Sequence, residues 1–185
     1  SDGTLGWEVG SDSTVFITSS PAIASDGTVY VGSEDGRLLA LRDGSIIWSY
    51  EIITKHGISS SPALGPDGNI YFGCDDGKLY RINQNNHQPA TDWPVTVSTG
   101  VVNSTPLLCG DDVVYVADDS SLYAYDVNNP SGGPRWKTTL VPPGKGGARR
   151  LSLDNQPSPV VDQYGLVYIS TGNGIFAIAG RPGGT

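Results

Sequence analysis

The sequence predicts an all-β fold assembled from four copies of one unit, and three observations carry that reading. Four segments align on one another: SPAIASDGTVYVGSEDGRLLAL from Ser20, SPALGPDGNIYFGCDDGKLYRI from Ser61, TPLLCGDDVVYVADDSSLYAY from Thr105 and SPVVDQYGLVYISTGNGIFAI from Ser158. Each runs nine residues from its proline to its tyrosine: Pro21 to Tyr30, Pro62 to Tyr71, Pro106 to Tyr115, Pro159 to Tyr168. Tryptophan marks a second register at Trp7, Trp48, Trp93 and Trp136, separated by 41, 45 and 43 residues. Self-similarity at such a period is the mark of an array in which each unit covers its neighbour's apolar face.

The elements follow in order within each unit. TVYVG, NIYFG, VVYVA and LVYIS are β-branched and aromatic runs bounded by Gly, Asp and Ser, as strands are. They are apolar at successive positions instead of alternating, which predicts strands covered on both faces. Asp26-Gly27 and Asp67-Gly68 stand where a tight hairpin needs positive φ, and Asp111-Asp112 and Tyr164-Gly165 are weaker versions of that turn. Asp35-Gly36 and Asp76-Gly77 mark the next reversal. No helical stripe of useful length occurs.

Four strands per unit at this period predict a β-propeller of four-stranded antiparallel blades. The whole chain, 1–185, reads as a single domain with blades over 20–52, 61–97, 105–140, and 158–179 plus 4–9. The last assignment arises because no Trp follows the fourth repeat, whereas Trp7 stands at the other end of the chain. Pairing of Gly3–Val9 with Gly174–Ala179 would let the N-terminal strand complete the last blade. The alternative is half of a seven- or eight-bladed propeller.

These residues resemble the pyrroloquinoline quinone (PQQ) repeat, the blade of the quinoprotein alcohol dehydrogenases. That blade reads S-P, DGxVYVG, DGxLYALD and then a TGxxxW turn and strand. Ser20-Pro21, Asp26 to Gly32, Asp35 to Leu41 and Gly44 to Trp48 follow it in blade one. Ala124, Asp126 and Trp136 carry its last elements in blade three, and blade two departs at Arg81 and Asn83. The resemblance implies that Trp7, Trp48, Trp93 and Trp136 dock between blades, which is also the simplest use of a large indole at a fixed place in each unit. It implies extracytoplasmic placement, whether periplasmic, secreted or at the cell surface. Enzymes of the family carry two adjacent cysteines over the quinone, a calcium shell and an Asp base. No Cys-Cys pair occurs here and no calcium set can be matched. The expectation is therefore no catalytic residue, no metal and no cofactor, with PQQ and calcium as the alternative. The chain is expected to be a non-catalytic scaffold for protein binding. A PQQ-dependent dehydrogenase, or a piece of one, is the runner-up. A carbohydrate-binding or adhesive module is a third possibility, but it needs exposed aromatics, and most Trp and Tyr here fall at repeated core positions.

Bulk composition narrows the partners. The 185 residues carry a formal charge of −8, with 16% charged and 37% hydrophobic residues. That is too apolar for disorder, and an acidic surface repels nucleic acid while favouring a cation or a basic protein. No run of about 18 apolar residues predicts a membrane span, and no signal-peptide pattern occurs at Ser1. The expected oligomeric state is a monomer or a ring-completing homodimer.

In a propeller the b–c and d–a connections share one face. The acidic pairs Glu34-Asp35, Asp75-Asp76 and Asp118-Asp119 fall there at matching positions, with Asn173 as the fourth-blade counterpart. They are candidates for holding a basic ligand, and equally for capping their own turns. The EF-hand spacing is absent. The long irregular stretch Val141–Gln156 should reach the same face and bears Lys145, Arg149 and Arg150, three of the eleven basic residues. His56 and His87 fall in loops of opposite faces and read as exposed. Cys74 and Cys109 end strands on opposite faces, too far apart for a disulfide, which predicts two free thiols. Asn103-Ser104-Thr105 spells a glycan acceptor, but its place at the start of an inner strand argues against a glycan.

Overall fold

The computed structural model describes residues 3–9, 16–110, 112–140, 158–171 and 174–179. Blade one consists of β1 (Ala22–Ile23), β2 (Val29–Gly32), β3 (Arg37–Arg42) and β4 (Ser45–Glu51). Blade two consists of β5 (Ala63–Leu64), β6 (Asn69–Gly73), β7 (Lys78–Asn83) and β8 (Val95–Thr96). Blade three holds β9 (Leu107–Cys109), β10 (Val113–Ala117), β11 (Ser121–Asp126) and β12 (Trp136–Thr139), the last preceded by a 3₁₀ turn at Pro130–Gly132. Blade four holds β13 (Val160–Val161), β14 (Leu166–Thr171) and β15 (Gly174–Ala179). Every sheet is antiparallel with its strands in chain order.

The turns form where their residue types allow. Gly36 and Gly77 adopt φ of 84° and 81°, and a Cβ on either would lie 2.9 Å and 2.3 Å from a backbone carbonyl oxygen, so the b–c turns admit only glycine there. In blade three Asp112 takes a φ of 56°, which Asp tolerates better than most residues. Asp111 lies outside the described residues.

Packing explains the unbroken apolar runs. β6 and β10 are buried at all five positions because alternate side chains feed two different cores. Tyr30, Leu38 and Ala40 of blade one, joined by Trp48 and Tyr50, pack against Ile70, Phe72, Tyr80 and Ile82 of blade two. Tyr71, Leu79 and Trp93 of blade two meet Val114, Val116 and Tyr123 of blade three. Tyr115, Leu122 and Trp136 of blade three meet Val167, Ile169 and Phe176 of blade four. The inner strands β1, β5 and β9 touch in succession. The Ser20 amide donates to Ser61 Oγ at 2.8 Å, and Ser60 Oγ donates to the Ser104 carbonyl at 2.8 Å. These bonds tie the strand starts together near the axis.

One expectation is corrected. Residues 3–9 form no strand, and among the described residues the fourth sheet has three strands. The segment lies on blade one instead. Val9 packs on Val31, Leu39 and Leu41, and a Cβ on Gly44 would stand 3.2 Å from the Trp7 Cβ. The physical reason is that Val31, Leu39 and Leu41 offer an apolar surface on blade one, and Val9 of the N-terminal segment covers it. Trp48, Trp93 and Trp136 lie in or against the inter-blade cores, whereas Trp7 is 47% exposed. Three inter-blade cores join four sheets, and no core among the described residues joins blade four to blade one.

Candidate interaction face

The b–c and d–a connections do share a face. Glu34 N donates to the Phe16 carbonyl at 3.0 Å, Ile58 N to Ser33 at 2.9 Å, Asp75 N to Gly57 at 3.0 Å and Val102 N to Cys74 at 3.1 Å. Glu34, Asp35, Asp75, Asp76, Asp118 and Asp119 all stand in its b–c turns. Asn173, Lys145, Arg149 and Arg150, with the Val141–Gln156 stretch, lie outside the described residues.

Within each acidic pair one carboxylate is spent on the turn itself. Asp35 accepts from Arg37 Nε at 2.5 Å and from the Ser33 hydroxyl. Burial works against its charge, but the bonds from Arg37 and Ser33 outweigh it and hold the carboxyl below the usual range. Asp76 accepts from the Lys78 amide at 3.2 Å and the Tyr80 hydroxyl at 2.7 Å. Asp118 accepts from the amides of Ser120 and Ser121, both at 2.8 Å, and from the Tyr123 hydroxyl at 2.8 Å. The three pairs are not at matching positions, as the sequence register suggested. The third b–c turn is one residue shorter, so Asp118 N bonds across the hairpin to Ser121 as Ser33 N does to Arg37 and Cys74 N to Lys78.

Glu34 and Asp75 stand apart from this turn chemistry. Glu34 is exposed. Asp75 is half-buried, and its Oδ1 accepts from Ser59 Oγ at 2.7 Å. Burial chiefly raises its pKa, the Ser59 bond opposes the rise, and the Glu34 charge adds to it. His56, exposed in the adjacent d–a loop, opposes the rise. Among the described residues no group of three His, Cys, Asp or Glu side chains is placed to hold a metal ion.

His87 departs from its expectation as an exposed loop residue. It is half-buried and stacks on Trp48, with ring centroids 4.4 Å apart at 21°. The c–d turn of blade two folds back onto the outer strand of blade one, where the indole offers a flat apolar surface. Cys74 and Cys109 are free thiols. Cys74 is fully buried and donates to the Gly57 carbonyl at 3.4 Å, and burial pushes its thiol far up, away from nucleophilic use. Asn103 and Ser104 are buried, which denies the sequon to a glycan.

Sequence reasoning missed a set of carboxylate–arginine clasps on the opposite face. Asp26 pairs with Arg42, Asp67 with Arg81 at 2.7 Å and Asp126 with Arg135 at 2.6 Å. Arg81 was visible only as a departure from the repeat. It closes the a–b hairpin of its own blade through Asp67 and donates to the Val127 carbonyl of blade three at 2.9 Å. A polar cavity of about 420 Å³ opens beside it between blades two and three, lined among others by Asn69, Asn83, Thr91, Asp92 and Asn128.

The match to known families decides the classification. The model of the family described as outer membrane protein assembly factor BamB, a PQQ-repeat family, matches residues 1–184. The chain belongs to this family of PQQ-repeat β-propellers. No curated protein matches the sequence significantly. Among solved structures, BamB from Moraxella catarrhalis superposes with a TM-score of 0.68 at 20% identity, over 89% of this chain and 51% of that one. The quinohemoprotein alcohol dehydrogenase ADHIIG from Pseudomonas putida HK5 gives 0.69 at 21% identity, over 92% and 30%. The computationally designed Ika4 protein gives 0.66 at 13% identity, over 95% and 99%. The chain thus spans about half the length of the BamB structure, and at these identities the likeness is one of fold. Among the described residues no helix is long and apolar enough to cross a membrane.

Proposed function

We propose that this chain is a non-catalytic interaction scaffold, placed outside the cytoplasm, that takes a basic segment of a protein partner on its b–c and d–a face. The observation that carries the reading is the division of work among the carboxylates. Asp35, Asp76 and Asp118 close turns, and Asp26, Asp67 and Asp126 clasp arginines. Glu34 and the half-buried Asp75 remain at the face, and the Glu34 charge adds to the cost of ionising Asp75. An ammonium or guanidinium seated between them relieves that cost, because an opposite charge favours both ionised forms. The net charge of −8 steers such a partner in. Extracytoplasmic placement rests on the family, whose description names an outer-membrane assembly factor. The buried, raised Cys74 thiol is consistent with a non-enzymatic role.

The test is a titration with a Lys/Arg-rich decapeptide, followed by Trp fluorescence at low and physiological salt. Saturable binding is expected, weakened several-fold by added salt and by Glu34→Gln with Asp75→Asn. Undiminished binding to the double variant, or none to the parent, contradicts the proposal. A second reading as a carbohydrate-binding module is favoured by the polar cavity beside Arg81, whose amides and carboxylate match sugar hydroxyls. A glycan array separates the two.

A further inference from the structure

We infer that the cavity between blades two and three binds one neutral, polyhydroxylated small molecule, a sugar or a polyol, with a ligand hydroxyl bridging Asn69 and Arg81. The inference rests on the carbohydrate reading above, to which it adds the atoms and the ligand charge, and it is independent of the peptide-binding face.

The cavity is built where blade two departs from the repeat. Arg81 of β7 pairs opposite Tyr71. Alanine holds that place in the other blades, with Ala40 opposite Tyr30, Ala124 opposite Tyr115 and Ala177 opposite Tyr168. Asn69 stands two residues before Tyr71, where the other blades have Thr28, Val113 and Leu166. The connection from β7 to β8 runs over 84–94, whereas Asp43 and Gly44 alone join β3 to β4. Insertions in a repeat array often collect on the face that meets a ligand. Asn69, Arg81 and Asn83 of the sheet line the cavity of about 420 Å³. The long connection adds Thr91 and Asp92, and blade three adds Asn128.

Two polar atoms at this wall are left over. Asn69 Nδ2 donates to Asp67 Oδ2 at 2.8 Å, and Arg81 Nη2 donates to the same oxygen at 2.7 Å. Asn69 is 5% exposed. Among the described residues its Oδ1 and the Arg81 Nε are buried without a hydrogen-bond partner. An orphaned acceptor and an orphaned donor each cost stability. Here they belong to neighbouring side chains clamped to one carboxylate oxygen. A hydroxyl answers both at once, because its O–H donates to Asn69 Oδ1 while its oxygen accepts from Arg81 Nε.

Charge selects a neutral ligand. Asp67 already compensates the Arg81 guanidinium, and the Asp92 carboxylate repels an anion. A cation meets Arg81 itself. The amides and the Thr91 hydroxyl extend the same donor-and-acceptor chemistry around the ligand. The long connection is held in shape beforehand. His87 stacks on Trp48 within it, and at its end the buried Trp93 meets the Tyr71 ring edge-on. A wall already ordered loses little entropy on binding.

The experiment is NMR of the Asn side-chain amides during titration with glucose, galactose, sorbitol, glucuronate and glucosamine, on the parent, Arg81→Ala and Asn128→Trp. Arg81→Ala restores the residue of the other blades and removes the donor. Asn128 is exposed, so the larger side chain narrows the cavity without entering a core. Should Arg81→Ala fail to fold, Asn128→Trp decides alone. Saturable shifts centred on Asn69 are expected with a neutral compound, at least tenfold weaker with the two charged compounds and at least tenfold weaker in either variant. Sorbitol matching the sugars assigns the ligand to open-chain polyols, and sugars without sorbitol assign it to saccharides. No saturable shift with any neutral compound overturns the inference. Sugar binding that survives undiminished in Asn128→Trp also overturns it, while leaving a carbohydrate module whose site lies elsewhere.

Discussion

Asp67 and Asp75 show how one residue type does opposite work within one blade. Asp67 accepts from the Asn69 amide, the Tyr71 hydroxyl at 2.7 Å and Arg81 at 2.7 Å. Burial pulls against it, but these bonds outweigh burial and depress its pKa. A depressed folded-state value means stability that is present above the unfolded value of roughly 4 and lost as pH falls through the folded one. Asp75 has a raised value, so its charge costs stability above that value and the cost disappears on acidification. Asp67→Asn is expected to lower stability at pH 7 by about 1–3 kcal/mol, the cost of stranding bonded partners. Asp75→Asn is expected to leave stability at pH 7 unchanged or raised. Urea unfolding at pH 7 and pH 4 checks both signs, and equal losses at pH 7 would refute the assignment. In the sequence Asp67 reads as half of a turn signal and Asp75 as half of an acidic pair. Tyr71 stands only four residues after Asp67, but the Arg81 partner comes from the next strand, and the turn signal alone does not reveal it.

The elements were legible wherever one unit explains itself. The tyrosine-centred strands, the Asp-Gly reversals and three docking tryptophans follow from runs and turns within forty residues, and all are present. The offset at Asp118 was hidden because a turn one residue shorter keeps the same letters. The stacking of His87 on Trp48 was hidden because it joins two blades. Docking strength should follow burial. Trp93 is 7% exposed and meets the Tyr71 ring edge-on at 5.7 Å. Trp48 is half-buried between Tyr30 and His87. Trp7 is 47% exposed. Substitution by alanine is expected to cost about 3–5 kcal/mol at Trp93, less at Trp48, and under about 1 kcal/mol at Trp7 within a single copy. Chemical denaturation of the three variants gives the ranking, and a Trp7 loss matching that of Trp93 would contradict the packing.

At the scale of the molecule the repeat count and the propeller class were readable, and the closure was not. Whether the fourth sheet takes the N-terminal strand of its own chain depends on the angle between successive blades. That angle is set by side-chain volumes at three interfaces and leaves no motif. The function divides along a similar line. The repeat is shared by dehydrogenases and scaffolds, so the family alone does not choose between them, and the choice rests on how individual side chains are used. The turn carboxylates, the arginine clasps and the buried thiol are committed to the fold, and Glu34 and Asp75 remain at the b–c face. The most direct measurement of the scaffold account is a titration with pyrroloquinoline quinone, with and without Ca²⁺, followed by Trp fluorescence and melting temperature alongside dye-linked oxidation of a primary alcohol. The account predicts no saturable binding, no stabilisation and no turnover. Micromolar binding that raises the melting temperature and supports alcohol oxidation would contradict it and make the chain part of a quinone enzyme.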